Sequence, residues 1–249
     1  FTPVDTEQLQ VQAKIESTKN LNANHVTLVH TGYGKEKVFG FGEQFTNLNI
    51  NGKSIRVLSQ EPGIGRGVQP ITWFMETFFG AGGKWDSSNA PAPHYLTSGG
   101  HSFFLENSEY SIFDFTSSEK TKVQVYADTL CGRIIYGKDP FEQIEVYTRY
   151  AGRMPAPPTW LQTGAVIGMQ GGTQAAQKMK ERLSGHHTPI AAFWLQDWVG
   201  SRKTSIGKQL WWNWEIGRET YPNWEELVEE FKDEDIRVLS YINPFLVDP

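Results

Sequence analysis

From Val26 to Tyr150 the apolar positions come in short runs, "HVTLVH", "KVFGFG", "SFFLEN", "SIFDF", "KVQVYA" and "RIIYG", separated by Gly, Ser, Asn and Pro. β-branched and aromatic residues dominate these runs, and polar and apolar residues alternate through Lys122, Val123, Gln124 and Val125. A period of two belongs to strands with one buried face, so residues 1–150 are predicted to form an all-β domain, two antiparallel sheets packed as a sandwich. The segments 60–70 and 80–100 collect Gly and Pro and are predicted as loops.

The pattern changes at "GRMPAPPTW", where three prolines break any regular element and mark 151–160 as a stiff connection. Beyond it, "LQTGAVIGM" (161–169) is predicted as a buried strand, followed by a helix over "GGTQAAQKMKERLSG" (171–185) with Thr173 as its candidate N-cap. "IAAFWLQ" (190–196) is a second strand and "NWEELVEEFKDE" (223–234) a second helix. The latter carries Leu227, Val228 and Phe231 on one face and its glutamates on a solvated one. "IRVLSYINPF" (236–245) is a third strand. Strand, helix, strand, helix, strand is a parallel β/α arrangement. Three parallel strands ending at Pro249 leave an edge that a complete domain covers, so the chain is expected to be truncated.

Composition narrows the function classes. With 249 residues and 39% hydrophobic content the chain can fill a proper core. A net charge of -5 and scattered Lys and Arg give no footprint for nucleic acid. No apolar run approaches the roughly 20 residues that span a bilayer, so no membrane partner is expected. Phe1 is preceded by no Met or leader, which fits a processed or excerpted sequence. Cys131 stands alone and is expected as a buried small hydrophobe. No metal-ligand spacing and no cofactor motif occur, and His186 and His187, between helix and strand, are expected at the surface. The remaining histidines show no spacing of a hydrolase triad.

In parallel β/α folds ligands bind at the carboxyl ends of the strands. That rule selects Gln170, Gln196 with Asp197, and Asn243. The connection after the second strand runs about 25 residues, well beyond the usual two to six, and residues 194–214 hold five of the nine tryptophans. Flat rings suit the C–H faces of sugars, while the interleaved Gln, Asp, Arg and Asn suit hydroxyls. Carbohydrate is therefore favoured over a tryptophan-anchored protein interface or simple packing.

The words "GMQGGTQAAQKMKERL", "FWLQDWVGSRKTSIGKQLWWNWE", "YPNWEELVEEF" and "IRVLSYINPF" resemble the early barrel of glycoside hydrolase family 31, within it the bacterial sulfoquinovosidase branch. "FGFGEQFTNLNINGKSIRVLSQEPGIGRG" (39–67) is similar to that family's N-terminal β-sandwich, and the resemblance runs from about residue 38 to 249. It implies a galactose mutarotase-like β-sandwich (1–150), then the start of a (β/α)8 TIM barrel (161–249), and hydrolysis of α-glycosides with retention. Retention requires two carboxyl groups about 5 Å apart. The family places both on later barrel strands, so neither is expected within these 249 residues and no catalytic residue is assigned here.

What the resemblance implies for this chain is substrate recognition. Gln196 matches a sulfoquinovosidase position that holds a sugar hydroxyl, and Trp212 matches a tryptophan beside the sulfonate. The branch pattern K-R-x-x-W becomes Lys208, Gln209, Leu210, Trp211, Trp212, so Gln209 replaces an arginine. Exchanging a charged planar fork for a neutral amide would cost about 2 to 5 kcal/mol of sulfonate affinity, and a neutral sugar fits without further assumption. Arg202 or Lys208 could supply the charge from a nearby position, or be exposed loop cations. Glu43 with Gln44, and Arg66, lie in loops that the family architecture brings near the site mouth; packing and turn-bonding are their other reading. The alternative to an enzyme is a non-catalytic carbohydrate-binding or regulatory homologue. Oligomeric state and compartment are not legible.

Overall fold

The computed structural model describes residues 1–16, 24–204 and 207–242. Its contacts divide the chain into two compact units, Phe1–Met154 and Pro155–Pro249.

The first unit contains β1 (Thr2–Pro3), β2 (Gln8–Lys14), β3 (Val26–Thr31), β4 (Val38–Gly42), β5 (Ser54–Val57), α1 (Pro70–Phe79), β6 (Pro91–Thr97), β7 (His101–Leu105), β8 (Ser111–Asp114), β9 (Lys120–Val125), β10 (Thr129–Tyr136) and α2 (Pro140–Ala151). Six strands form one sheet in the order β1-β2-β10-β7-β6-β4, four form another in the order β3-β9-β8-β5, and every neighbouring pair is antiparallel. Alternation does what the pattern predicts in β9: Thr121, Val123 and Val125 are buried while Lys120 and Lys122 are exposed. Both sheets contribute to one core, in which Phe41, Tyr95, Phe113 and Phe115 are buried almost completely. Their rings meet edge to face, Phe41 on Phe113 at 5.0 Å and Tyr95 on Phe115 at 5.1 Å, the arrangement that the ring quadrupole favours.

Several elements depart from the pattern-based expectation. The 26–150 segment is not all β: α1 and α2 interrupt it. α1 starts on Pro70 and stops at Gly80 in the left-handed region (φ 61), where the amides of Gly80 and Ala81 close on the carbonyls of Glu76 and Met75. α2 starts on Pro140 after Asp139, whose carboxylate accepts from the amides of Phe141 and Glu142. β6 occupies part of the predicted 80–100 loop; of its two prolines, Pro91 stands at the first strand position, where the missing N–H is tolerated. β1 and β2 precede the first predicted strand. Cys131, on β10, is only partly buried.

The second unit contains a 3-10 turn (Thr159–Gln162), β11 (Ala165–Met169), α3 (Gly172–Gly185), β12 (Ile190–Leu195), β13 (Ser201–Thr204), β14 (Gly207–Leu210), α4 (Trp224–Asp233) and β15 (Arg237–Ser240). β11, β12 and β15 form a parallel sheet in that order. Phe193 and Leu195, with Ile167, Met169 and Val238, pack against Ala176 of α3 and Leu227 and Phe231 of α4. Trp194, between the two buried β12 residues, points to the opposite face and is 37% exposed.

Here too the boundaries shift. The first predicted strand (161–169) begins only at Ala165, because Pro158 leads into the 3-10 turn, in which the Thr163 hydroxyl donates to the carbonyl of Trp160. The second stops at Leu195. The third is described as Arg237–Ser240, and Asn243 lies outside the described residues. Thr173 is not the N-cap of α3. Gly171 takes that position (φ 119), and at Gly172 a β-carbon would stand 2.4 Å from the Thr220 carbonyl oxygen, so only glycine fits this approach.

Candidate functional site

The carboxyl edge of the parallel sheet gathers several of the residues singled out in the sequence. Met169 and Leu195 are register partners on β11 and β12, so Gln170 and Gln196 leave the sheet side by side. The Gln170 amide donates from Nε2 to Oε1 of Gln196 at 3.0 Å. Of the two carboxamides, this bond uses one Gln170 N–H and one Gln196 lone pair, leaving further donors and acceptors for a ligand.

Asp197 follows immediately but faces inward, 9% exposed. Its Oδ1 accepts from the Tyr221 hydroxyl at 2.5 Å and its Oδ2 from the Gly171 amide at 2.8 Å. It thereby ties the end of β12 to the start of α3 and to the segment before α4. Burial, and then the Asp197 carboxylate, push the Tyr221 hydroxyl well above its ordinary value, so it remains a donor.

The long connection after β12 is not an open loop. Within it β13 and β14 form an antiparallel ribbon that pairs Arg202 with Gln209 and Lys203 with Lys208, continued by the Trp211 amide bonding to the Gly200 carbonyl. The aromatic residues form two groups. Trp212 and Trp194 both approach Tyr241, at 5.0 and 6.0 Å between ring centres, while Trp198 and Tyr221 both meet Trp224, at 6.3 and 5.4 Å. Trp198 links the two groups by donating its indole N–H to the Tyr241 carbonyl at 2.7 Å. Trp214 adopts a left-handed backbone (φ 62), which is uncommon for so large a residue and typical of strained functional loops.

Tyr241 was missed in the sequence. It sits just past β15, as Gln170 and Gln196 sit past β11 and β12, so the strand-end rule could have found it had the third strand been ended at Ser240 rather than at 245.

Glu43 and Arg66 belong to the first unit. Glu43 is exposed, with its amide bonded to the Ala90 carbonyl. Arg66 donates to the carbonyl of Ser87 at 2.9 Å and its guanidinium lies 4.7 Å over the Phe45 ring, while Gln44 donates to the Phe41 carbonyl. Glu43 and Arg66 thus tie separate segments of the first unit to one another, while the Gln44 contact is local. His186 and His187 are exposed.

No model of a known protein family matches the chain. Over 228 residues it is 31% identical to the sulfoquinovosidase of Escherichia coli (strain K12), a match that covers 91% of this chain and 34% of that protein. It is also 31% identical over 212 residues to the sulfoquinovosidase of Agrobacterium fabrum, covering 85% and 32% respectively. Among solved structures, a family GH31 sulfoquinovosidase from E. rectale, in complex with the aza-sugar inhibitor IFGSQ, superimposes with a TM-score of 0.82 at 30% identity, covering 90% of this chain and 34% of that one. The chain spans about a third of the length of the curated relatives it matches.

Proposed function

We propose, from the premise that the chain belongs to glycoside hydrolase family 31, that it is part of a retaining α-glycoside hydrolase acting on α-linked glucose-type sugars. In this reading residues 1–150 are the N-terminal β-sandwich, 151–160 the connection, and 161–249 the first three β/α units of the catalytic barrel.

The observation that carries the proposal is the pairing of Gln170 with Gln196 at the carboxyl edge of β11 and β12, the edge where parallel β/α folds bind ligands. The two carboxamides orient each other and offer their remaining donors and acceptors to sugar hydroxyls. The Trp212 and Tyr241 rings supply flat apolar surface for a sugar face. Asp197 serves the frame: with both oxygens engaged by Tyr221 and Gly171, it positions the loop that carries Gln196. The two reacting carboxyl groups belong, in this proposal, to strands that follow β15, so residues 1–249 bind sugar without turning it over.

The test is an assay of p-nitrophenyl α-glucoside and α-sulfoquinovoside hydrolysis, beside tryptophan-fluorescence titration with methyl α-glucoside. Binding that is lost in Gln196→Ala, without turnover by the 249-residue chain, is the expected result. Turnover by this chain would overturn the placement of the catalytic pair, and no response to any sugar would overturn the reading of the site.

A further inference from the structure

A cleft of about 410 Å³ lies within the first unit, with Leu28 of β3 from one sheet and Phe103 of β7 and Ile134 of β10 from the other among its walls. Its shielded polar lining includes His30, Tyr33, Glu36 and Tyr95. The protons of this group follow from its partners. His30 Nδ1 stands 2.8 Å from the Thr31 carbonyl, an acceptor, so Nδ1 carries the ring proton. Burial lowers the His30 pKa below its ordinary value, so the ring is neutral and Nε2 accepts from the Tyr95 hydroxyl at 3.5 Å. With that proton spent, Tyr95 accepts from the Tyr33 hydroxyl at 2.8 Å. Tyr33 therefore has only lone pairs left to offer. Glu36 adds a charge: its Oε2 is buried with no hydrogen-bond partner, and no described cation pairs with it. Lys35 and Lys37, its neighbours in sequence, are exposed. The carboxylate rests on Gly99, where a β-carbon would stand 2.2 Å from Oε2.

Buried polar atoms are paired in almost all native proteins, and a shielded carboxylate without a partner is costly. The shielded side chains of this cleft have only acceptors to spare, one of them charged, so an anion is repelled and a donor-rich cation is selected. The Tyr33 and Tyr95 rings, 5.9 Å apart, suit the same ligand, because a ring face attracts positive charge and its breadth takes an apolar body. We propose that this cleft binds a small organic cation, an ammonium or guanidinium group on an apolar body. Glu36 is its counter-charge, the Tyr33 hydroxyl oxygen accepts one of its N–H groups, and Leu28, Phe103 and Ile134 cover the body. The inference is independent of the sugar-binding reading, which concerns the second unit.

Calorimetric titration of the 249-residue chain with phenethylammonium, 2-phenylethanol and 3-phenylpropanoate tests it, since these probes share a body and differ in charge. The ammonium should bind roughly tenfold or more tightly than the alcohol, and the carboxylate most weakly, with differences that shrink as salt is raised. Glu36→Gln should abolish the preference for the cation, and Glu181→Gln, at an exposed position on α3, should leave it intact, with circular dichroism confirming that each variant folds. A second readout needs no variant: on adding phenethylammonium the ring NMR signals of His30 and His101, which line the cleft, should move while those of His186 and His187 stay. Equal affinity for ammonium and alcohol, or a preference that survives Glu36→Gln, overturns the inference. Loss of preference in Glu181→Gln as well would reduce it to general surface charge, and shifts that spare His30 and His101 would put the ligand elsewhere; either result overturns it. Displacement of the ammonium by methyl α-glucoside would make the cleft a sugar site and overturn it too.

Discussion

Asp86 in the first unit and Asp197 in the second are both almost fully buried, yet they are stabilised in opposite ways. Asp86 is clasped by a charge: Arg56 donates from Nε to Oδ2 at 2.7 Å and from Nη2 to Oδ1, and the Arg56 amide adds a third bond. Burial alone would raise the Asp86 carboxyl, but the Arg56 hydrogen bonds outweigh it and hold the group below its ordinary value. Among the described residues Asp197 has only neutral donors, the Tyr221 hydroxyl and the Gly171 amide. The first arrangement fastens β5 to the segment before β6 within a unit whose two sheets share one aromatic core. The second fixes loop ends at the edge of a sheet whose other polar residues, Gln170 and Gln196, keep unused hydrogen-bonding capacity. Buried charge pairing accompanies framework; neutral pinning accompanies the edge proposed here to bind sugar.

The strongest way to break this comparison is to remove the charge partner. Arg56→Met leaves Asp86 buried and uncompensated and should cost about 3 to 5 kcal/mol in chemical denaturation. Asp197→Ala loses two hydrogen bonds to a charged acceptor and should cost less, about 2 to 3 kcal/mol. Equal losses would mean that the two aspartates differ in partner but not in kind.

Acid should also separate the units. His94 in β6 stacks on Tyr147 at 3.8 Å, bonds to the Ser102 hydroxyl, and burial lowers its pKa from about 6.5 to about 4. Below pH 6.5 the unfolded chain takes up a proton that the folded imidazole refuses until about pH 4. Stability of the first unit should therefore fall by about 3 kcal/mol across that window and be insensitive to this group above it. Denaturation curves at pH 7 and pH 4.5 check this, and His94→Gln should remove most of the difference.

The smallest effect belongs to the exposed pair of Arg218 and Glu225, two bonds of 2.6 Å at the surface beside α4. Arg218 hydrogen bonds lower the Glu225 carboxyl to about 2. Arg218→Ala should return that titration toward the ordinary carboxylate range by NMR while leaving the denaturation midpoint nearly unchanged, since exposed ion pairs contribute little.

Much of the second unit was legible because its elements carry strong periods. The α4 face of Leu227 and Phe231 and the apolar β12 run were assigned within a residue or two of their observed ends. α1 and α2 were misjudged although their end signals were present, Pro70 and Gly80 for one and Asp139-Pro140 with Glu142 for the other. Their richness in Phe, Tyr, Ile and Thr outweighed those signals, because such residues favour strands only when a sheet neighbour is there to pack against. In the candidate site, Gln170 and Gln196 could be found from strand ends, but Tyr241 could not while β15 was drawn too long.

Local pattern alone therefore determined which segments are strands or helices wherever the period was clear, and which residues stand at the ends of β11 and β12, because backbone geometry repeats over a few residues. Only the tertiary structure decided who meets whom. That Asp197 is closed by Tyr221, that Trp212 shares Tyr241 with Trp194, and that Arg202 faces Gln209 all depend on register and packing between segments distant in sequence. A side chain's chemistry is set by the partner that solvent exclusion places beside it, and no local period encodes that partner.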